Sequence, residues 1–528
     1  MLGRRWTNPL PVSAPKRVVQ PRVTPFHTNA RHERFLPKRW LCRSESNSSN
    51  EESPEQTPEP EIPDIPEDSY PFPEEPFPQD PYGDTMPVKT LRDRLQPRDS
   101  PFVVDNNAGG GFVCDDDRIN IQAVQFGSPE SVGAECEHGL ADMSLEDEMC
   151  IVLPRFAVRS GPRRRIYFKP AGVTAAIVTC GGLCPGLNDV IQAIVYKLTD
   201  YGVPEDNIMG IRFGLRGFYD PMNRPIVMHR ELVDDIHLRG GTMLGTSRGG
   251  ADISQIVSRI HLWDLDMLFV LGGNGGNAAA NAIQEECERR DVLCSVIGVP
   301  KSIDNDILIV DKCFGYDTAV EEAQRALLAA KVEARSARRG VGLVKLMGRQ
   351  SGFISHKAAM SSGVVDICLI PEIKFRLDKV LAYVEKVLAK KGHCVICLAE
   401  GCGQDLLNKD STKTTDASGN PLLTDIGPFF KDEIRRYFDG DVDVKYIDPT
   451  YMIRAIPTIS SDRVYCNILG QGAVHAAFAG YTGITVGLVN THFVYLPIPD
   501  VIQAPRRVNP KGRRWNRLKT AINQPNFA

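Results

Sequence analysis

The stretch "LDMLFVLGGNGGNAAANAIQEECERRDVLCSVIGVPKSIDND", residues 265–306, decides the fold. Two apolar runs, 265–273 and 292–300, flank a segment that opens on glycines and continues as the helical "NAAANAIQEECERR". Apart from Asp266 and Ser295 the runs are apolar, which marks strands buried on both faces. Two parallel strands need a crossover, and a helix is the usual one. The stretch therefore predicts a strand–loop–helix–strand unit of a parallel sheet. Three acids or amides, Asp304, Asn305 and Asp306, follow directly where the second strand ends.

The same grammar extends in both directions. Upstream, "VTAAIVTC" (173–180) reads as a strand, "GGLCPGLN" as a glycine loop and "DVIQAIVYKLTDYG" as an amphipathic helix. Downstream, "DTAVEEAQRALLAAKVEA" (317–334) is the strongest helix, with Asp317 or Thr318 as its cap and acids in its first turn. The strands "VGLVKLMG" and "CVICLAEG" then open a second α/β unit, and "DASGNP" (416–421) reads as a turn. A chain of 528 residues exceeds what one core fills. The expected fold class is α/β: two Rossmann-like three-layer α/β domains with the active site in the cleft between them.

The ends have other compositions. Residues 1–43 carry ten Lys/Arg against the single acid Glu33 and no apolar centre, so they read as an organellar transit peptide. Residues 44–105 are acidic and Pro-rich without apolar periodicity, which predicts disorder. An N-terminal extension at 106–165 and a C-terminal tail at 501–528 complete the division. The core divides into 166–315 plus 454–500 as one α/β domain, and 316–453 as the other. Net charge −4 argues against a nucleic-acid partner, and no apolar run of 18 residues predicts a membrane span. Cys394 and Cys397 form a C-x-x-C inside an apolar strand and read as core thiols, while Cys114, Cys136 and Cys150 lie in a polar stretch.

The polar clusters all fall at carboxyl ends of strands, where open α/β sheets bind ligands. "CGGLCPG", "GGNGG", "KSIDND", "MGR" (347–349) and "AEG" (399–401) thus converge on one cleft. Glycine loops that open helices offer N–H groups and a positive dipole end to phosphate. Neither loop fits the Walker A or dinucleotide pattern. Acids beside such loops suit phosphoryl transfer: one Asp takes a hydroxyl proton, another helps hold Mg²⁺, and an Arg meets phosphate with a fixed fork.

With these motifs in place, the sequence resembles the ATP-dependent 6-phosphofructokinases, above all those of plant and algal plastids. The resemblance runs from about Arg165 to about Val508 and includes "GGTMLGTSRGG", "FGYDTAVEEAQRA", "KLMGRQSGF", "CLAEGCGQD", "YIDPTYMIRA" and "HAAFAGYTGITVG". It implies MgATP and fructose 6-phosphate as substrates, fructose 1,6-bisphosphate and ADP as products, a homo-oligomer (tetramer or dimer) and, with the basic leader, the chloroplast stroma; mitochondrion and cytoplasm are the alternatives. It makes Asp304 the base, with Ser302 and Ile303 beside it at the sugar. Met347, Gly348 and Arg349 would contact the sugar phosphate, and Glu400 the sugar hydroxyls. Tyr451, Met452, Ile453 and Arg454 would approach the 6-phosphate. Gly181, Arg248, Gly249, Gly273, Asn274, Gly275 and Gly276 would bind ATP, with Asn274 at the metal and Gly275 setting donor specificity.

The sequence departs from the family pattern in places. Asn274 stands where many relatives have Asp, which keeps an oxygen ligand and drops the charge. Gly276 stands where plastid relatives have Thr. Gly340 stands where bacterial enzymes have an Arg, and Lys445 where they use another. Two rival readings follow. A pyrophosphate-dependent phosphofructokinase would carry Asp at 275, whereas Gly275 leaves room for the ATP α-phosphate. A weakly active regulatory subunit is suggested by Asn274 and Gly276 and opposed by Asp304, Arg349 and Arg454.

Overall fold

The computed structural model describes residues 84–103, 111–121, 153–249, 251–407 and 422–528. A large sheet has nine strands in the order Arg118–Asn120, Phe156–Arg159, His492–Pro497, Ile484–Val489, Ser295–Pro300, Met267–Gly272, Ala175–Thr179, Ile208–Ile211 and Ile226–Val227. The five from Ile484–Val489 to Ile208–Ile211 are parallel, and the others are antiparallel. A second, wholly parallel sheet runs Ile367–Leu369, His393–Ala399, Gly340–Leu346 and Asp443–Ile447.

Strand alternation covers both faces of each sheet. In Ala175–Thr179, Ala175 and Ile177 pack under helices Leu187–Tyr201 and Ser460–Phe478. Ala176 and Val178 pack under helices Ile253–Leu262 and Asn274–Arg289. In the second sheet, Val344 and Leu346 face helices Tyr316–Ser336 and Phe353–Ser362, and Val341 and Leu343 face Leu377–Lys391 and Ile426–Tyr437. This is the Rossmann-like layering expected from the continuously apolar strands.

Chain order and sheet order reverse between Ala175–Thr179 and Met267–Gly272. A crevice opens at such a switch point beyond the carboxyl ends. The two glycine loops, 180–186 and 273–276, leave those two neighbouring strands.

Several expectations change. Helix Tyr316–Ser336 is capped by Gly315 at φ +80°, not by Asp317 or Thr318. Asp317 lies within the first turn and ion-pairs with Lys312 and Lys357, while Thr318 is held by buried Asp462. Disorder to residue 105 does not hold for the end of that segment. Met86 is buried, Lys89–Thr90 pairs with Tyr481–Thr482, and Arg92 makes a two-pronged ion pair with Asp115. The expected tail carries helix Arg513–Ile522, whose Trp515 and Leu518 enter the core of the second sheet. Cys394 and Cys397 are fully buried core thiols, as read. The transit peptide, the acidic stretch before residue 84, Cys136, Cys150 and the 416–421 turn lie outside the described residues.

Candidate active site

One cleft of about 1080 Å³ collects the carboxyl ends of both sheets. Its large-sheet wall is the two glycine loops, Arg248 and the 301–306 loop; its second-sheet wall is Lys345, Met347, Arg349, Glu400, Asp425, Asp448, Tyr451 and Arg454.

The 301–306 loop leaves strand Ser295–Pro300 and turns back through Asn305, in the left-handed region at φ +58°. Asn305 Oδ1 fixes the turn by accepting from the Cys313 N–H at 2.8 Å. That turn leaves both flanking acids half-buried in the cleft wall. Asp306 accepts from Ser302 Oγ and, at 3.3 Å, from Asn274 Nδ2. Asp304 Oδ1 has no partner at all. A buried carboxylate oxygen without a donor is costly unless a ligand uses it. Burial first, then the negative charges of Asp306 and Glu400, hold Asp304 well above the usual carboxylate pKa of 3.8, against Arg349 and Lys301. Burial raises Asp306 too.

Helix Asn274–Arg289 starts inside the cleft, so its unpaired N–H groups and dipole point at the crevice. Asn274 Oδ1 is buried there without a partner. A Cβ built on Gly275 would meet nothing within 4 Å, so this position opens on free space. Gly276 is the opposite: a Cβ would come within 2.8 Å of Cys180 Sγ. The thiol of the neighbouring loop fills the space a Thr at 276 would need, which accounts for Gly276. Burial pushes that thiol up to about 11, so it stays protonated and packs as an apolar group.

Across the cleft, Gly348 adopts φ +128°, and a Cβ there would meet Ser351 O at 2.3 Å. Only glycine makes this turn without strain. It projects Arg349 toward Glu400, with Nε 3.4 Å from Oε1. Burial raises the Glu400 pKa despite the nearby Arg349, Lys345 and Arg454. Arg454 lies over the Tyr451 ring at 5.0 Å. One wall thus carries Glu400 beside two guanidinium groups, those of Arg349 and Arg454.

Of the residues singled out in the sequence, Gly181, Arg248, Gly249, Gly273 to Gly276, Ser302, Ile303, Asp304, Met347, Arg349, Glu400, Tyr451 and Arg454 line this cleft. Gly348, Met452 and Ile453 do not. Helix Thr450–Arg454 presents Tyr451 and Arg454 on one side, three residues apart. Ile453 is turned into the core and Met452 is 74% exposed. Lys445 is outside the lining and ion-pairs with Asp443 at 2.9 Å. The lysine that enters the cleft is Lys345, held by Asp448 at 2.8 Å and Asp425 at 3.0 Å. Its signal was available, as the one charge in an otherwise apolar seven-residue strand. Ile502 to Pro505 also line the cleft, and no local pattern announces them.

Comparison with known proteins places these features in context. The phosphofructokinase family model matches residues 174–477. The chain is 52% identical over 423 residues to ATP-dependent 6-phosphofructokinase 5, chloroplastic, of Arabidopsis thaliana, covering 79% of this chain and 76% of that protein. It is 39% identical to the ATP-dependent 6-phosphofructokinase of Amycolatopsis methanolica, covering 84% and 96%. Among solved structures, a pyrophosphate-dependent phosphofructokinase from Marinobacter aquaeolei superposes with TM-score 0.56 at 18% identity, covering 67% of this chain and 92% of that one. At that identity the likeness concerns the fold alone.

Proposed function

The chain belongs to the phosphofructokinase family, and from that premise we propose that the cleft catalyses ATP-dependent phosphorylation of fructose 6-phosphate at its 1-hydroxyl. The products are fructose 1,6-bisphosphate and ADP. The observation that carries this reading is the buried, unpartnered carboxylate oxygen of Asp304, set between phosphate-binding glycine loops and a wall bearing Arg349 and Arg454.

In the reaction Asp304 accepts the proton of the sugar 1-hydroxyl as that oxygen bonds to the γ-phosphorus. The bond from the γ-phosphorus to the bridging oxygen breaks, and ADP leaves. A raised pKa suits a base working near neutral pH. The N–H groups at the start of helix Asn274–Arg289 and Arg248 hold the ATP phosphates. Arg349 balances charge at the transferring group, Glu400 accepts from sugar hydroxyls, and Arg454 with Tyr451 receives the 6-phosphate.

A divalent cation, Mg²⁺ in this proposal, would supply charge neutralisation for the transferring phosphate when bound. Asn274 Oδ1 and Asp306 are the groups that would hold it, directly or through water. Both fit such an ion: Asn274 Oδ1 is buried without a hydrogen-bond partner, and Asp306 lies beside it. Among the described residues no three His, Cys, Asp or Glu side chains form a metal cluster, and Mg²⁺ commonly takes few protein ligands beside phosphates.

ATP is favoured over pyrophosphate as donor. The relatives at 39–52% identity cited above are named ATP-dependent, and Gly275 leaves space where a carboxylate would repel an α-phosphate. We assign the chain to plastids on the basic leader and the chloroplastic relatives. A homo-oligomer, dimer or tetramer, is the expected assembly. No helix among the described residues is long and apolar enough to cross a membrane.

A coupled assay with fructose 6-phosphate, Mg²⁺ and either ATP or pyrophosphate tests the reading. Turnover with ATP alone is expected. Turnover with pyrophosphate alone overturns the donor assignment, and none with either, in folded protein, favours a regulatory subunit.

A further inference from the structure

The C-terminal segment crosses the cleft and is anchored on both halves. Upstream it leaves large-sheet strand His492–Pro497 through the short helix Ile498–Val501. Downstream Trp515 and Leu518 enter the second core, and Gln524 bonds both backbone groups of Cys368 on edge strand Ile367–Leu369. Between these anchors, Arg506 reaches the loop that carries Asp304. Its backbone N–H donates to Asp306 O at 2.8 Å. Its Nη1 donates to Val310 O at 2.7 Å and Asp311 O at 2.9 Å. Its guanidinium also lies 5.1 Å from the ring of Phe353, the first residue of the helix that follows the Arg349 loop.

Two residues further on, at Val508, the side chain of Glu372 makes the matching link. One oxygen, Oε1, accepts from the Val508 N–H at 2.8 Å and from the Gly352 N–H at 2.9 Å. Gly352 ends the loop that begins at Met347 and carries Arg349. The two loops also touch directly, Ser351 Oγ donating to Asp304 O at 3.1 Å. Arg506 is 5% exposed. A buried guanidinium that meets carbonyls and a ring is a poor stabiliser, since burying the charge offsets what the bonds return. An apolar side chain would fill the space more cheaply. What Arg supplies, and an apolar residue does not, is fixed bonds to a loop with no regular secondary structure.

We propose that Arg506 and Glu372 are positioning residues: through the C-terminal strap they latch the Asp304 loop to the Arg349 loop and fix base and cation relative to each other. The chemistry served is the phosphoryl transfer proposed above, so the inference rests on that reading for its purpose but not for its geometry. An error of about 1 Å in such spacing costs on the order of 10²-fold in rate.

The test uses the full chain with Arg506→Lys, Glu372→Ala and Glu372→Gln, each checked for folding by near-ultraviolet circular dichroism. R506K and E372A should lower kcat by about 10- to 100-fold, with KM for ATP and fructose 6-phosphate within about threefold of the parent. E372Q should restore most of the rate, because a carboxamide oxygen accepts both N–H bonds. Amide exchange should quicken together at 304–311 and 349–352 in R506K and E372A. Folded R506K and E372A with parental kcat overturn the proposal, as does E372Q as slow as E372A. Should the parent itself not turn over with ATP, the reaction reading fails by itself and amide exchange decides the latch: joint quickening supports it, and quickening of one loop or neither overturns it.

Discussion

Asp304, the proposed base, is also a destabilising carboxylate. Its folded pKa is raised above 3.8 by burial and by Asp306 and Glu400. Below the unfolded value the acid is neutral in both states and costs nothing; as pH rises through the raised value, stability is lost. Asp304→Asn removes that penalty. It should lower kcat by about 10²–10⁴-fold while raising Tm at pH 8 by about 1–3 °C. In the parent, kcat should fall as pH drops through an acid limb lying well above 3.8. A limb at the ordinary carboxylate value, or a D304N enzyme of parental rate, would remove Asp304 as the base. Asn274 is the second informative residue. Its Nδ2 donates to Asp306, so its amide already holds the acid that would face the metal. Asn274→Asp adds a charge there and should reduce the Mg²⁺ needed for half-maximal rate by about tenfold. An unchanged Mg²⁺ titration would take position 274 out of the metal shell.

At the scale of elements, the site is a set of strand ends whose loops must interlock. The loop after Ala175–Thr179 supplies Cys180, and the loop after Met267–Gly272 supplies Gly276, against which the thiol packs. Gly276→Thr should overpack this contact at a cost of about 1–3 kcal/mol. Adding Cys180→Ala should recover more than half of the lost Tm and of any increase in KM for ATP. Simple additivity of the two substitutions would mean the contact does not constrain the nucleotide loop. The helices were legible from their periodicity, but their caps were less so. Gly315 at φ +80° starts helix Tyr316–Ser336, and nothing local distinguishes it from a turn glycine.

At the scale of the molecule, the boundaries of the body lie further out than composition suggests. Met86 is buried, and Asp115 accepts from Arg92, Arg163 and Tyr481. Asp115 and these three partners come from four separate stretches of the chain, so the N-terminal segment is sewn to the large sheet. A chain starting at residue 84 keeps this cluster, and one starting at residue 101 loses Met86 and Arg92. The shorter chain should melt at least about 5 °C lower, consistent with a loss of a few kcal/mol. Equal melting of the two would show that the cluster contributes little to the fold.

The chain itself specifies the layered α/β fold, because apolar runs and 3.6-residue periodicity are local consequences of burial. It also determined most of the cleft. Residues at carboxyl ends of parallel strands converge whatever the loop details, so Asp304, Asn274, Arg349 and Glu400 could be placed together from the order of strands alone. Within short elements the same logic fails. One helical turn cannot aim Tyr451, Met452, Ile453 and Arg454 at one ligand, and the core took Ile453. Long-range packing brings Lys345 and not Lys445 into the cleft, sets Cys180 in the space beside Gly276, and closes the wall with Ile502 to Pro505. Those outcomes depend on contacts between segments tens to hundreds of residues apart, which no local pattern in the chain encodes.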